Sequence, residues 1–181
     1  MVVAVFGGSF DPPHIGHEKI VDLSLIELPI DKIFVVPTFL NPFKDTFHLI
    51  PEKRFELLAT LFRDNPKVEI CDFEILQNKK TATFETISFL KNNHTIERIY
   101  LIIGADNLKN IHLWYNFLEL RELVQFVVVT RNAILLENDY IKPTYLELDI
   151  DASSTGLREN MNFDLIPENL KEKVKEIWKQ E

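Results

Sequence analysis

Continuously apolar runs alternate along this 181-residue chain with stretches of helical periodicity, and that alternation limits the folds open to it. The runs are VVAVF (2–6), KIFVVP (32–37), KVEICDF (67–73), RIYLIIG (98–104) and VQFVVVTR (124–131). A strand with one wet face alternates polar and apolar residues; strands covered on both faces do not. Helical patterns fall between the runs, at 15–27, 52–63, 84–92, 105–110 and 114–122. On the second of these, Phe55, Leu58, Ala59 and Phe62 follow the i, i+3, i+4, i+7 rule of a buried helix face. Strand and helix in alternation predict an α/β fold, a doubly wound parallel sheet with right-handed crossovers. A further strand is expected near YLELDI (145–150).

The length fits one compact domain over residues 1–181. Its last stretch, PENLKEKVKEIWKQE, places Pro167 near a helix start and Leu170, Val174, Ile177 and Trp178 on one stripe. A packing helix over about 167–180 is predicted, with its lysines on the outer face. The loops 38–50 and 132–144 are the longest irregular stretches, and long loops in compact domains are often functional. No apolar run reaches the ~18 residues of a membrane span, and MVVAVF lacks the basic n-region of a signal peptide. The lone Cys71, among apolar neighbours, reads as a buried small hydrophobe. A cytoplasmic protein is expected. A net charge of −8 without a basic cluster argues against a nucleic-acid partner. Any anionic ligand has to be met by a local group of cations.

GGSFDPPHIGH follows the first strand directly. In an open α/β sheet this turn lies at the carboxyl edge of the strands, where ligands bind. Glycines there permit positive φ and let a ligand approach the bare backbone. The spacing is neither GxGxxG nor GxxxxGK[ST], which weakens dinucleotide oxidoreduction and kinase-type chemistry. Asp11-Pro12-Pro13 stiffens the loop. His14 and His17 then stand three residues apart, on one face of the first turn of a helix whose N-terminus attracts anions. The pair reads as a phosphate site, as two satisfied structural histidines, or as half of a zinc site. Zinc lacks further ligands, since there is no HExxH and no cysteine cluster. Beside a polyphosphate the imidazole pKa values should rise above about 6.5.

The stretch resembles the signature region of the nucleotidyltransferase superfamily in its GGTFDPxHxGH form, with Ser9 in place of the commoner Thr. The resemblance implies a Rossmann-like nucleotidyltransferase fold. It also implies transfer of a nucleoside monophosphate from a triphosphate, with His14 and His17 on the triphosphate and the backbone near Gly8, Ser9 and Phe10 facing the nucleotide. The phosphates would be reached by a second stretch, DASSTGLREN (151–160). By pattern its hydroxyls cap a short helix. Arg158 lies one turn inside, where the helix dipole does not welcome a cation unless a phosphate answers it. It resembles the ISSTxIR motif of the same superfamily, which assigns Ser154, Thr155 and Arg158 to the triphosphate, with Lys44 adding positive charge.

LIIGADNLKNIHLWYNFLEL (101–120) reads as a buried strand, a glycine turn and a broken helix with Trp114 and Tyr115. As pattern, Trp114 needs no ligand. The run resembles the IIGxDxLxxLxxW segment of bacterial nicotinate-nucleotide adenylyltransferases, which implies that Gly104 and Asp106 serve the adenosine and Trp114 and Tyr115 the pyridine. KTATFETISFLK (80–91) is similar to their SYTxDTL segment and puts Thr83 near the nicotinate carboxylate. Three positions depart from the family. Phe43 stands before Lys44 where PPHK has a histidine, Ala82 replaces the tyrosine of SYT, and Arg131-Asn132-Ala133 replaces RPG. The implied substrates are ATP and nicotinate mononucleotide, giving deamido-NAD and pyrophosphate. Mg²⁺ would be carried by the triphosphate and water, with no protein ligand assigned. Phosphopantetheine and nicotinamide mononucleotide are alternative acceptors. A non-catalytic nucleotide-binding regulator is the alternative from another class.

Overall fold

The computed structural model describes residues 1–41, 45–130, 138–148, 152–160 and 162–179. Its centre is a parallel sheet of β1 (Val2–Gly8), β2 (Lys32–Pro37), β3 (Val68–Ile70), β4 (Arg98–Gly104), β5 (Gln125–Thr130) and β6 (Thr144–Glu147). The order across it is β3-β2-β1-β4-β5-β6. β1 therefore pairs on one side with β2 and on the other with β4, with Val5 opposite Phe34 and Leu101. The order reverses there, and the crevice beyond their carboxyl ends is where such sheets bind ligands.

Successive residues of a strand face opposite sides, so each apolar run feeds two cores. Ala4 and Phe6 pack into one layer with Val21 of α1 (Ile15–Glu27), Leu57 and Leu58 of α2 (Pro51–Leu61), and Val174. Val3 and Val5 pack into the other, with Ile87 and Leu90 of a later helix. This is why the strands lack polar alternation.

Several boundaries differ from the sequence reading. The third strand stops at Ile70, and a short helix α3 (Phe73–Leu76) follows Asp72. The buried stripe of α2 is Arg54, Leu57, Leu58 and Leu61; Ala59, expected inside, is exposed. Arg54, whose guanidinium is buried, heads that inner face. α4 spans Thr83–Asn93. The helix expected at 105–110 is a 3₁₀ helix, Ala105–Leu113, and α5 (Phe117–Leu123) starts only after Asn116, which sits at φ 50°. α6 is Ser154–Asn160. The tail makes a 3₁₀ turn at Glu168–Leu170 and then α7 (Lys171–Trp178). It buries Leu170 and Val174, and Trp178 meets the Phe163 ring edge-on at 5.0 Å. Cys71 is buried, and burial raises its thiol pKa. No described helix is long and apolar enough to cross a membrane.

Candidate active site

A cavity of about 1240 Å³ opens over the carboxyl ends of β1 and β4. Gly8, His14, His17 and Ser154 line one end, where α1 and α6 pack on the first core layer, and Thr83 and Trp114 line the other, beside the second layer. Drug-sized pockets occupy roughly 300–1,000 Å³, so this space suits a ligand pair rather than one small molecule.

At the first end, Gly7 and Gly8 are the last residues of β1, and no described glycine has positive φ. The expected left-handed glycine turn is absent among the described residues. The strained position is Phe10, at φ 49°, whose ring is buried. A Cβ on Gly8 would lie 3.1 Å from that ring and press on it, so what constrains this position is space rather than torsion. The Phe10 ring in turn meets His17 edge-on, 4.7 Å between centroids.

His14 is the N-cap of α1, one position before the helix proper, and His17 is its third residue. The Gly16 N–H donates to His14 Nδ1 at 3.2 Å, and the His14 N–H donates to His17 Nδ1 at 3.2 Å. The two rings stack at 3.7 Å. A Cβ on Gly16 would stand 3.0 Å from the His14 ring, so this glycine lets the cap close. Imidazole thus does here what Ser and Glu do in an ordinary capping box. Because each Nδ1 accepts, each neutral ring carries its proton on Nε2, as a donor. Burial, and then the neighbouring His14, push the His17 pKa well below its usual value. The rise expected beside a polyphosphate concerns the ligand-bound rings, where an anion would oppose this desolvation.

Two side chains brace this turn: Asp11, expected only as part of a stiff loop, and Arg54, which the sequence reading missed. The Asp11 carboxylate accepts from the His48 and Leu49 N–H groups at 2.9 and 2.7 Å. Arg54, 1% exposed, donates to the carbonyls of Ser9, Phe39 and Leu49 at 2.6, 2.8 and 3.0 Å. Burial lowers its pKa, although the Asp11 charge works against that. The readable signal was a charge at position i of a stripe whose i+3, i+4 and i+7 members are leucines.

The second motif docks on the same loop. Ser154 Oγ donates to the Pro12 carbonyl at 3.0 Å across 142 positions. The Gly156 N–H donates to Ser153 Oγ at 3.0 Å, which caps α6. Arg158 donates to the Asp11 carbonyl, and to Thr155 Oγ1 at 3.2 Å. It lies one turn inside α6 as expected, but the helix ends two residues later at Asn160, so Arg158 is also in its last turn, where the dipole favours a cation. Ser154 and Thr155 line the cavity, whereas Arg158 sits behind them. Lys44 and Phe43 lie outside the described residues, as do Arg131-Asn132-Ala133.

At the far end, Gly104 closes β4, and a Cβ there would fall 2.4 Å from Asp106 Oδ1. Asp106 is exposed at the cavity rim. Ala82 precedes α4, and its N–H donates to Glu85 Oε2 at 2.8 Å. Thr83 follows it at the cavity wall. Trp114 is half-buried against the second core, and Tyr115, 60% exposed, meets the Phe84 ring edge-on at 6.1 Å. The structure thus brings Gly8, Ser9, Phe10, His14, His17, Gly104, Asp106, Ser154 and Thr155 to one cavity with Thr83, Trp114 and Tyr115.

Residues 5–160 match the cytidylyltransferase-like family. A probable nicotinate-nucleotide adenylyltransferase of Aliarcobacter butzleri is 46% identical over 96% of this chain and 95% of its own length. One from Sulfurimonas denitrificans is 42% identical over 99% of this chain and 96% of its own. A solved nicotinic acid mononucleotide adenylyltransferase of Plasmodium falciparum, complexed with NaAD, superposes with a TM-score of 0.74 at 21% identity, over 96% of this chain and 94% of that one, and so speaks for the fold. With the fold, the cavity and full-length relatives in agreement, the chain belongs to the cytidylyltransferase-like family, among the nicotinate-nucleotide adenylyltransferases.

Proposed function

We propose that the protein transfers AMP from ATP to nicotinate mononucleotide, giving deamido-NAD and pyrophosphate. The observation that carries this reading is the histidine cap. Both Nδ1 atoms are tied to the start of α1, which orients two Nε2–H donors as a fixed pair at one end of the cavity. Donors fixed before the reaction stabilise charge as it develops on an α-phosphate, with no reorganisation during transfer. The acceptor's phosphate oxygen attacks the α-phosphorus in line, and the bond to pyrophosphate breaks. Positioning and charge stabilisation carry the step, so no covalent enzyme intermediate is needed.

The remaining roles follow the cavity. The Gly8–Phe10 backbone, Ser154 and Thr155 hold phosphates. Arg158 acts from behind Thr155, and Lys44 from the 38–50 loop. Gly104 and Asp106 receive the ribose, and Trp114 stacks on the pyridine with Thr83 and Tyr115 beside it. No group of three or more metal-binding side chains occurs among the described residues. Mg²⁺ would be held by triphosphate oxygens and water. When bound, that ion neutralises phosphate charge; orientation of the α-phosphate falls to the histidines. The buried free Cys71 is in keeping with a cytoplasmic setting.

Pyrophosphate release tests the proposal directly. ATP with nicotinate mononucleotide should release it faster than ATP with nicotinamide mononucleotide or phosphopantetheine. Faster release with either of those reassigns the acceptor. ATP binding without release on any acceptor would identify a regulator.

A further inference from the structure

Glu74 is a buried carboxyl that the adenylyl transfer does not use. It is 5% exposed, yet it forms part of the cavity wall, on α3. Thr86 Oγ1 donates to its Oε1 at 2.7 Å. Thr86 and Thr83 lie one turn apart on α4, on the same side, and both line the cavity. Glu74 therefore stands at the end of the cavity assigned to the pyridine. No ion pair serves it among the described residues. We propose that Glu74 selects the acceptor, its carboxyl lending a proton to the acid group of the pyridine and making the preference for acid over amide depend on pH. This rests on the function proposed above.

The chemistry turns on which form the side chain takes. As a neutral acid it donates, and a pyridine carboxylate accepts. As a carboxylate it repels that anion, while a carboxamide NH₂ can still donate to it. Burial pushes its pKa up to about 7; the Thr86 hydrogen bond works against this and the Glu85 charge adds to it. The groups facing it are few. Glu85 approaches from α4, with Lys79 held 3.3 Å from that carboxylate. Cys71 and Asp72 precede it on its own segment. β2, against which α3 packs, carries its one charge at the opposite end of the strand, where Lys32 pairs with Glu69.

The experiment measures kcat/KM for nicotinate mononucleotide and for nicotinamide mononucleotide from about pH 6 to 9, in the parent and in Glu74→Gln. Phosphate and histidine titrations are common to both acceptors and cancel in the ratio. In the parent the acid-to-amide ratio should fall at least tenfold over that range, with the bend near pH 7 set by the free enzyme. Glu74→Gln keeps an oxygen for Thr86 and adds a permanent donor, so its ratio should stay level. A level ratio in the parent, or an unchanged fall in Glu74→Gln, overturns the inference and leaves the adenylyl transfer standing. No pyrophosphate with either mononucleotide overturns both.

Discussion

The two ends of the cavity are built by opposite means. The phosphate end is cross-braced: Arg54 holds three carbonyls, Asp11 holds two N–H groups, Ser154 reaches back to Pro12, and the two rings cap a helix. Each of these groups has a fixed partner within the protein. The acceptor end is assembled from packed faces instead, with Trp114 half-buried, Tyr115 exposed and one carboxyl held by one hydroxyl. Chemistry common to all triphosphates can be set in rigid backbone. Recognition of one acceptor rests on a few side chains that can be exchanged without unmaking the fold.

That contrast can be broken by substitution. His17→Ala should give the largest effect, a loss of roughly 10²–10³ in kcat, the usual cost of one preorganised charge stabiliser. A parallel measurement of thermal unfolding should show an intact fold, and a kcat above half the parent's would take this ring out of the step. Arg54→Met comes next. It strips one buried and two part-buried carbonyls of their donor, a buried unpaired group costing about 1–3 kcal/mol, so denaturant unfolding should report a loss of about 3 kcal/mol. An equal loss from Leu57→Ala with normal ATP kinetics, set against impaired kinetics in Arg54→Met, would show that the brace serves the site as well as the core. Trp114→Ala sharpens the comparison from the other end. Losing an aromatic contact of about 1.4 kcal/mol should raise the mononucleotide KM about tenfold. The ATP KM should hardly move; equal rises in both would mean that the two ends are not separable.

The acid limb of stability adds a sign to the same contrast. His17 has a depressed pKa, so the folded protein favours its neutral form. That contribution is present above the unfolded value of about 6.5 and is lost as pH falls toward the folded one. Glu74 behaves oppositely, because its folded pKa is raised. Its contribution is present below the usual carboxyl range and is lost as pH rises through about 7.

The sequence made the phosphate end legible because its residues are contiguous. Gly8, Ser9, His14 and His17 lie within ten positions, and local order alone places them at a strand end and a helix start. The sheet was legible for a related reason, since unbroken apolar runs admit few arrangements. What escaped was long-range. Arg54 reads as an ordinary surface charge until its carbonyl partners, up to 45 positions away, are known. The place of Arg158 in α6 depended on where that helix stops, which its hydroxyl-rich start does not reveal. At the glycine turn the sequence points to both torsion and close approach; no glycine there has positive φ, and the Phe10 ring that crowds Gly8 is not legible from the pattern.

The parallel register also has a timetable. During synthesis β1 emerges well before β4, whose Arg98 lies beside Val2 in the sheet. At about 5–20 residues per second, one edge of β1 waits roughly 5–20 s for its neighbour. The contact from Ser154 to Pro12 comes later still. ATP, which protects the finished protein by mass action, therefore has no complete site to bind on the nascent chain. Until α6 arrives, the growing sheet must survive on its own hydrogen bonds and apolar contacts, without help from a ligand.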